Sequence, residues 1–78
     1  MFEGRTVRRS RQPTATQLRV LELLAHGRTE AEVAAELGIT PTTARTHTGD
    51  AMRRLGVHTR TEAVAIAICE GWIKCPRA

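Results

Sequence analysis

Between Thr29 and Gly56 the chain reads TEAEVAAELGITPTTARTHTGDAMRRLG, and this stretch admits few arrangements other than two helices meeting at a tight corner. Thr29 with Glu32 three residues later is a capping box, in which the hydroxyl and the carboxylate satisfy each other's orphan backbone N–H groups. The amphipathic helix it opens stops at Gly38, because glycine accepts the left-handed backbone that closes a helix. Ile39 fills the corner. Thr40 can cap the next helix through its hydroxyl, and Pro41 suits the first helical position, where its missing N–H would be unpaired anyway. That second helix runs to about Leu55, which makes the pair a helix-turn-helix.

The same punctuation recurs on both sides. Thr14 and Gln17 form a capping box that opens ATQLRVLELLAH, with Val20, Leu21, Leu24 and Ala25 on one face and Gly27 as the stop. Leu18 and Leu23 fall off that stripe and are expected either singly exposed or packed under the N-terminal residues. Val33, Ala34 and Leu37 give the next helix its core face, with the glutamates pointing out, and Ala44, Thr48, Ala51, Met52 and Leu55 form the inner stripe of the third helix. Thr59 with Glu62 opens a fourth helix that closes near Gly71. Its middle, AVAIAIC from Ala63 to Cys69, is apolar without a break, so a helix here asks to be buried on two sides. One side faces its own domain; the other is expected to face a second copy through Ala65, Ile68 and Trp72. Two alternatives stay open: Trp72 and Ile73 fold back as core, or the alternation of Ala with Val64, Ile66 and Ile68 marks a short strand. Four caps and four closing glycines agree on an all-α chain of four helices.

Seventy-eight residues make one small domain of modest stability, since a chain of this size hides only about 60% of its unfolded surface. Its organisation reads as a basic arm at 1–13, a helical domain at 14–73 and a tail at 74–78. The arm is either a solvated tail or a segment that lies along a polyanion beside the main contact. The net charge of +4 is unevenly placed. Residues 1–13 carry +3, residues 14–38 carry −2, and residues 39–61, with Arg45, Arg53, Arg54 and Arg60 against Asp50, carry +3. Such clustering is either a solvated surface or the footprint of a nucleic-acid partner. No apolar run approaches the roughly 18 residues that span a bilayer, and no apolar signal-peptide core opens the chain, so a cytoplasmic location is expected. Cys69 and Cys75 form no CxxC pair; Cys69 is expected packed and Cys75 exposed near the end.

The chemistry sits on the outward side of the third helix, which offers Thr42, Thr43, Arg45, Thr46, His47, Gly49 and, further on, Arg53. Threonine is a poor helix former, and five of them from Thr40 to Thr48 cost about 2 kcal/mol relative to alanine. Hydroxyls can donate to phosphate oxygens, methyl groups can pack on thymine, and Arg45 can reach phosphate or guanine O6 and N7. A structural role competes: Thr43 and Thr48 buried, with hydroxyls bonded to carbonyls one turn back. His47 has no second ligand at metal spacing, so no metal or other cofactor is expected; it is either a packed core histidine or a donor to a phosphate. No nucleophile is paired with a base and no glycine-rich phosphate loop follows a strand, so no enzyme is expected.

From about Pro13 to Ile73 the segments VLELLAHGRTEAEVAAELGIT, PTTARTH and RRLGVHTRTEAVAIA resemble the DNA-binding domain of the LuxR family of bacterial transcription regulators, the GerE or FixJ type. The resemblance implies a four-helix, winged-helix-like bundle of the LuxR C-terminal effector type, with the third helix reading DNA and the fourth making a homodimer. Thr43, Arg45, Thr46, His47 and Gly49 then fall where the family meets DNA, and Arg60 on the basic position that opens the fourth helix, near the DNA backbone. Val20, Leu21, Leu24, Val33, Ala34, Leu37, Ile39, Leu55 and Val57 match the family's core. Five positions depart from its pattern. Thr16 and Gln17 replace an Arg-Glu pair, Ala44 and Ala51 replace larger residues and thin the contact beneath the third helix, and Gly49 removes one possible reader. A basic arm of thirteen residues is also no receiver or ligand-binding domain, so regulation is expected to come without a built-in input.

The reading that follows is a sequence-specific, dimeric regulator that binds double-stranded DNA with the third helix in the major groove. The alternative is an interaction module that keeps the fold and acts by binding RNA polymerase or a host regulatory protein. The promoter-reading region of sigma factors shares the helix pair, but RRLGVHTRTEAV speaks for the LuxR type.

Overall fold

The computed structural model describes residues 12–75. Four helices follow one another: α1 Ala15–Ala25, α2 Glu30–Leu37, α3 Pro41–Leu55 and α4 Arg60–Cys69. Each starts where a threonine caps it. The Thr14 hydroxyl accepts the Gln17 N–H at 3.2 Å while the Gln17 side-chain oxygen accepts the Thr14 N–H at 3.1 Å. Thr29 and Glu32 repeat the exchange at 3.1 and 2.9 Å, and Thr59 and Glu62 at 3.1 and 3.2 Å. On α3 the Thr40 hydroxyl accepts the Thr43 N–H at 3.1 Å, with Pro41 in the first turn. Gly38 and Gly56 close α2 and α3 with φ of 71° and 72°, a left-handed backbone that strains any side-chain-bearing residue. The strand alternative for Ala63–Cys69 is excluded, since those residues are α-helical, and no strand occurs among the described residues.

The core has two centres, and α1 feeds both. Val20 and Leu23 pack with Val33, Ala34 and Ala44, while Leu21 packs with Ala51, Ala63, Ala67 and Ile73. α3 therefore bridges the centres, Ala44 lying in one and Ala51 in the other. Ala44, Ala51, Ala63 and Ala67 are fully buried. Alanines at the contacts let helix axes approach toward the short end of the usual range of about 8–10 Å. The replacements at 44 and 51, expected to thin the support of α3, are thus both core residues.

Three expectations need correction. Leu23 is buried rather than off the core face, because α1 touches every other helix and a single stripe does not describe a helix packed on several sides. Leu18 is half-buried against the second centre. Cys69 is exposed, like Cys75: the apolar run spans two turns, and its far side is covered by nothing in the described chain. Beyond α4 the Trp72 N–H donates to the Ala67 carbonyl at 2.9 Å, Ile73 is buried and Trp72 packs half-buried on the same centre, so this segment does fold back as core. Residues 1–11 of the expected arm and 76–78 of the tail lie outside the described residues, while Pro13 is buried.

Candidate nucleic-acid interface

At 100° per residue, the inner stripe Ala44, Thr48 and Ala51 fixes what the rest of α3 presents. Opposite it stand Thr42, Thr46 and Arg53, all exposed. Arg45 and Gly49 lie on one flank, and Thr43, His47, Asp50 and Arg54 on the other. The outer face expected from sequence is therefore assembled, but Thr43 and His47 are half-buried and stand at its margin. The His47 side chain makes no hydrogen bond among the described residues.

The threonines divide by role. Thr40 caps the helix, and its hydroxyl also donates to the Thr43 hydroxyl at 2.8 Å, so Thr43 serves the cap rather than a carbonyl one turn back. Thr48 is buried and its hydroxyl donates to the Ala44 carbonyl at 3.1 Å, which is the structural role weighed above. The exposed Thr46 hydroxyl also bonds back, to the Thr42 carbonyl at 3.0 Å. Its remaining lone pair and its methyl group face outward, where a base or phosphate could meet them.

The arginines are more exposed than any core role requires, with side-chain exposures of 71% for Arg45, 73% for Arg53 and 51% for Arg60. Arg53 pairs with Asp50 one turn back on α3. Arg45 and Arg60 come from different helices and meet one carboxylate, that of Glu30: Arg45 Nε lies 3.3 Å from Oε1 and Arg60 Nη1 lies 3.0 Å from Oε2. The expectation that the glutamates of α2 simply point out fails for Glu30, whose side chain is only 21% exposed. Beside this trio runs an open groove between α3 and the start of α4, lined by Arg45, Gly49, Met52, His58 and Arg60 among others. A Cβ built at Gly49 meets nothing within 4 Å, so no packing demand inside the chain explains that glycine.

The segment that delivers Arg60 is locked from behind. The backbone N–H groups of His58 and Thr59 both donate to Glu62 Oε1, at 3.0 and 3.2 Å, and hold the Glu62 carboxyl below the usual carboxylate range. In the last turn of α3, Arg54 Nε donates to the Gln12 carbonyl at 3.3 Å, tying the entry of the described chain to the basic helix. Sequence reading missed both Glu30 and Arg54 as parts of this surface. Where the family pattern has a charge pair, the Gln17 side chain is buried in the α1 cap; the ion pair joining α1 and α2 comes instead from Arg19 on Glu36, and Arg28, in the turn between them, meets the same carboxylate.

The surface of α4 is of another kind. Ala65 and Cys69 are exposed, and Ile66, Ile68 and Trp72 are half-buried, the last two resting on the second core centre. Among the described residues no group of three or more His, Cys, Asp or Glu is arranged to hold a metal ion, and no helix is long and apolar enough to cross a membrane.

Known proteins carry the same pattern. Residues 13–67 match the model of the bacterial regulatory proteins, luxR family. The chain is 43% identical over 51 residues to the spore germination protein GerE of Bacillus subtilis, covering 65% of this chain and 69% of that protein. It is 39% identical over 59 residues to the transcriptional regulatory protein UhpA of Escherichia coli, covering 76% of this chain and 30% of UhpA. Over 61 residues it is 39% identical to the HTH-type transcriptional activator RamA of Corynebacterium glutamicum, which covers 78% of this chain and 22% of RamA. It thus spans about a fifth of one of these relatives, under a third of another and about two thirds of the third. With four helices in the expected order and a match over more than half its length, the chain belongs to the luxR family of bacterial regulatory proteins.

Proposed function

We propose that the chain regulates transcription by sequence-specific DNA binding, as a homodimer, with α3 in the major groove and α4 joining the two copies. One observation carries this reading: the outer face of α3, with Thr42, Thr46, Arg45 and Arg53, is exposed and no part of the described chain covers it. Burial of the inner face against alanines supplies the rigid seat such a helix needs. The arginines supply phosphate neutralisation, and Arg45, on the flank beside the groove, is the best placed for a base edge. Arg60, at the start of α4, falls to the DNA backbone, and His47 and Thr43, at the margin, to phosphates flanking the bases read.

A single module of this kind covers about 600–1,000 Å² on DNA, so tight, specific binding calls for two copies on half-sites about one helical turn apart. The exposed Ala65 and half-buried Ile68 and Trp72 support α4 as the joining surface. Membership of a family of bacterial regulatory proteins supports a role without catalysis.

Selection from a random duplex pool tests the reading. An enriched palindrome is the expected result, and Arg45→Ala is expected to weaken binding to it and to lower the salt slope by about one unit where the contact is to phosphate. A pool with no enrichment, beside specific capture of RNA polymerase by the same chain, would replace this reading with the interaction module.

A further inference from the structure

One carboxylate, that of Glu30, brings together cations carried by α3 and α4. Glu30 stands at the first position of α2, and its carboxylate takes a single N–H from each of Arg45 and Arg60, at 3.3 and 3.0 Å. Its side chain is 21% exposed, while the arginine side chains it meets are 71% and 51% exposed. Arg45 binds it through Nε and keeps both terminal nitrogens; Arg60 binds it through Nη1 and keeps Nη2 and Nε. Those remaining donors are the ones a phosphate or a guanine edge accepts in pairs. Gly49 lines the open groove beside them, and a Cβ there would meet nothing within 4 Å.

A carboxylate this close to a DNA-facing surface repels every phosphate alike, so it lowers affinity for any sequence. Ion pairs with partners this exposed contribute little to folding. Orientation is what the pairing does supply: two long side chains from different helices are held at one point, and their rotamer freedom is lost before the ligand arrives.

We propose that Glu30 is a positioning residue for DNA discrimination, holding Arg45 and Arg60 so that specific sequences gain over non-specific ones. This rests on the DNA-binding reading above. Without Glu30 the arginines reach phosphates more freely and read bases less well; general affinity holds or rises while selectivity falls.

The test uses the whole chain and its Glu30→Ala and Glu30→Gln variants, titrated by fluorescence anisotropy against the selected duplex and a scrambled one of equal length, over a salt series. Thermal melts of each variant check that it stays folded, and Glu30→Gln, nearly isosteric, keeps the readout if Glu30→Ala does not fold. The expected result is an affinity ratio between the two duplexes about tenfold smaller for Glu30→Ala, with scrambled-duplex affinity equal to or above that of the parent. Glu30→Gln, which retains one acceptor oxygen, falls between. On an Arg45→Ala background the effect of Glu30→Ala shrinks, since one of the two groups it positions is gone. An unchanged ratio in a folded Glu30 variant overturns the proposal, as does a loss that is equally large on the Arg45→Ala background. A parent chain with no preference between the duplexes overturns the DNA-binding reading itself, which is a different failure.

Discussion

α3 and α4 are seated by the same device and present opposite chemistry. Each docks through two fully buried alanines, Ala44 and Ala51 on one, Ala63 and Ala67 on the other. Outward, α3 shows hydroxyls and guanidinium groups, whereas α4 shows Ala65, Cys69 and the edges of Ile66 and Ile68. Small inner residues fix a helix at short distance without dictating its outer side, so the outer side is where the two helices acquire different partners. A basic outer face suits a polyanion, and an apolar one suits a copy of itself.

The largest way to break the comparison is to remove what both helices rest on. Leu21 lies fully buried among Ala51, Ala63 and Ala67, and Leu21→Ala is expected to destabilise the domain by about 2–5 kcal/mol. Denaturant or thermal unfolding should register this as a joint loss of α3 and α4 order; a stable variant would mean that the second core centre is not their common seat.

A smaller effect separates the two faces. Ala65→Glu places a charge on an exposed position of α4 and, in the proposed homodimer, beside the same charge of the second copy. Dimer dissociation, measured by analytical ultracentrifugation, should become at least about tenfold easier, with the monomer's melting temperature unchanged. A weakly associating parent chain, unaffected by the change, would remove α4 as the joining surface.

Gly49→Ala sharpens the α3 side. The new methyl meets no atom within 4 Å, and Ala favours the helix over Gly, so the free protein should gain about 0.5–1 kcal/mol. Weaker binding by the stabilised variant would show that the DNA backbone or a base needs the space at 49, whereas unchanged binding would show that it does not.

The smallest effect concerns the lock before α4. The folded-state pKa of Glu62 is depressed by the His58 and Thr59 N–H groups, so its contribution is complete above the unfolded-state value and is lost as pH falls through the folded one. Melting temperatures of Glu62→Gln should therefore lie slightly below the parent's near neutral pH and converge with them in acid. Parallel curves across that range would contradict the role given to this carboxylate.

How much of this was legible in the sequence follows the range of the interaction concerned. The caps at Thr14, Thr29, Thr40 and Thr59 were readable because each is settled within four residues, and the helix order and the outer face of α3 came with them. Leu23 was misplaced because a one-face pattern presumes one neighbour, and α1 has three. Cys69 was misplaced because its place in a run of seven apolar residues was read as packing, whereas the side of α4 that carries it is covered by nothing in the described chain. The joining of Arg45 and Arg60 by Glu30 could not be read, since it spans 15 and 30 residues and depends on how α2, α3 and α4 converge.

The claim that the outer face of α3 meets nucleic acid is tested most directly by titrating the isotopically labelled chain with its selected duplex and following the backbone amides by NMR. The account predicts that the largest shifts fall on Thr42, Arg45, Thr46, Gly49 and Arg53, with Arg60 beside them. Saturating duplex that leaves those amides unmoved, while shifting residues elsewhere or none at all, would contradict it.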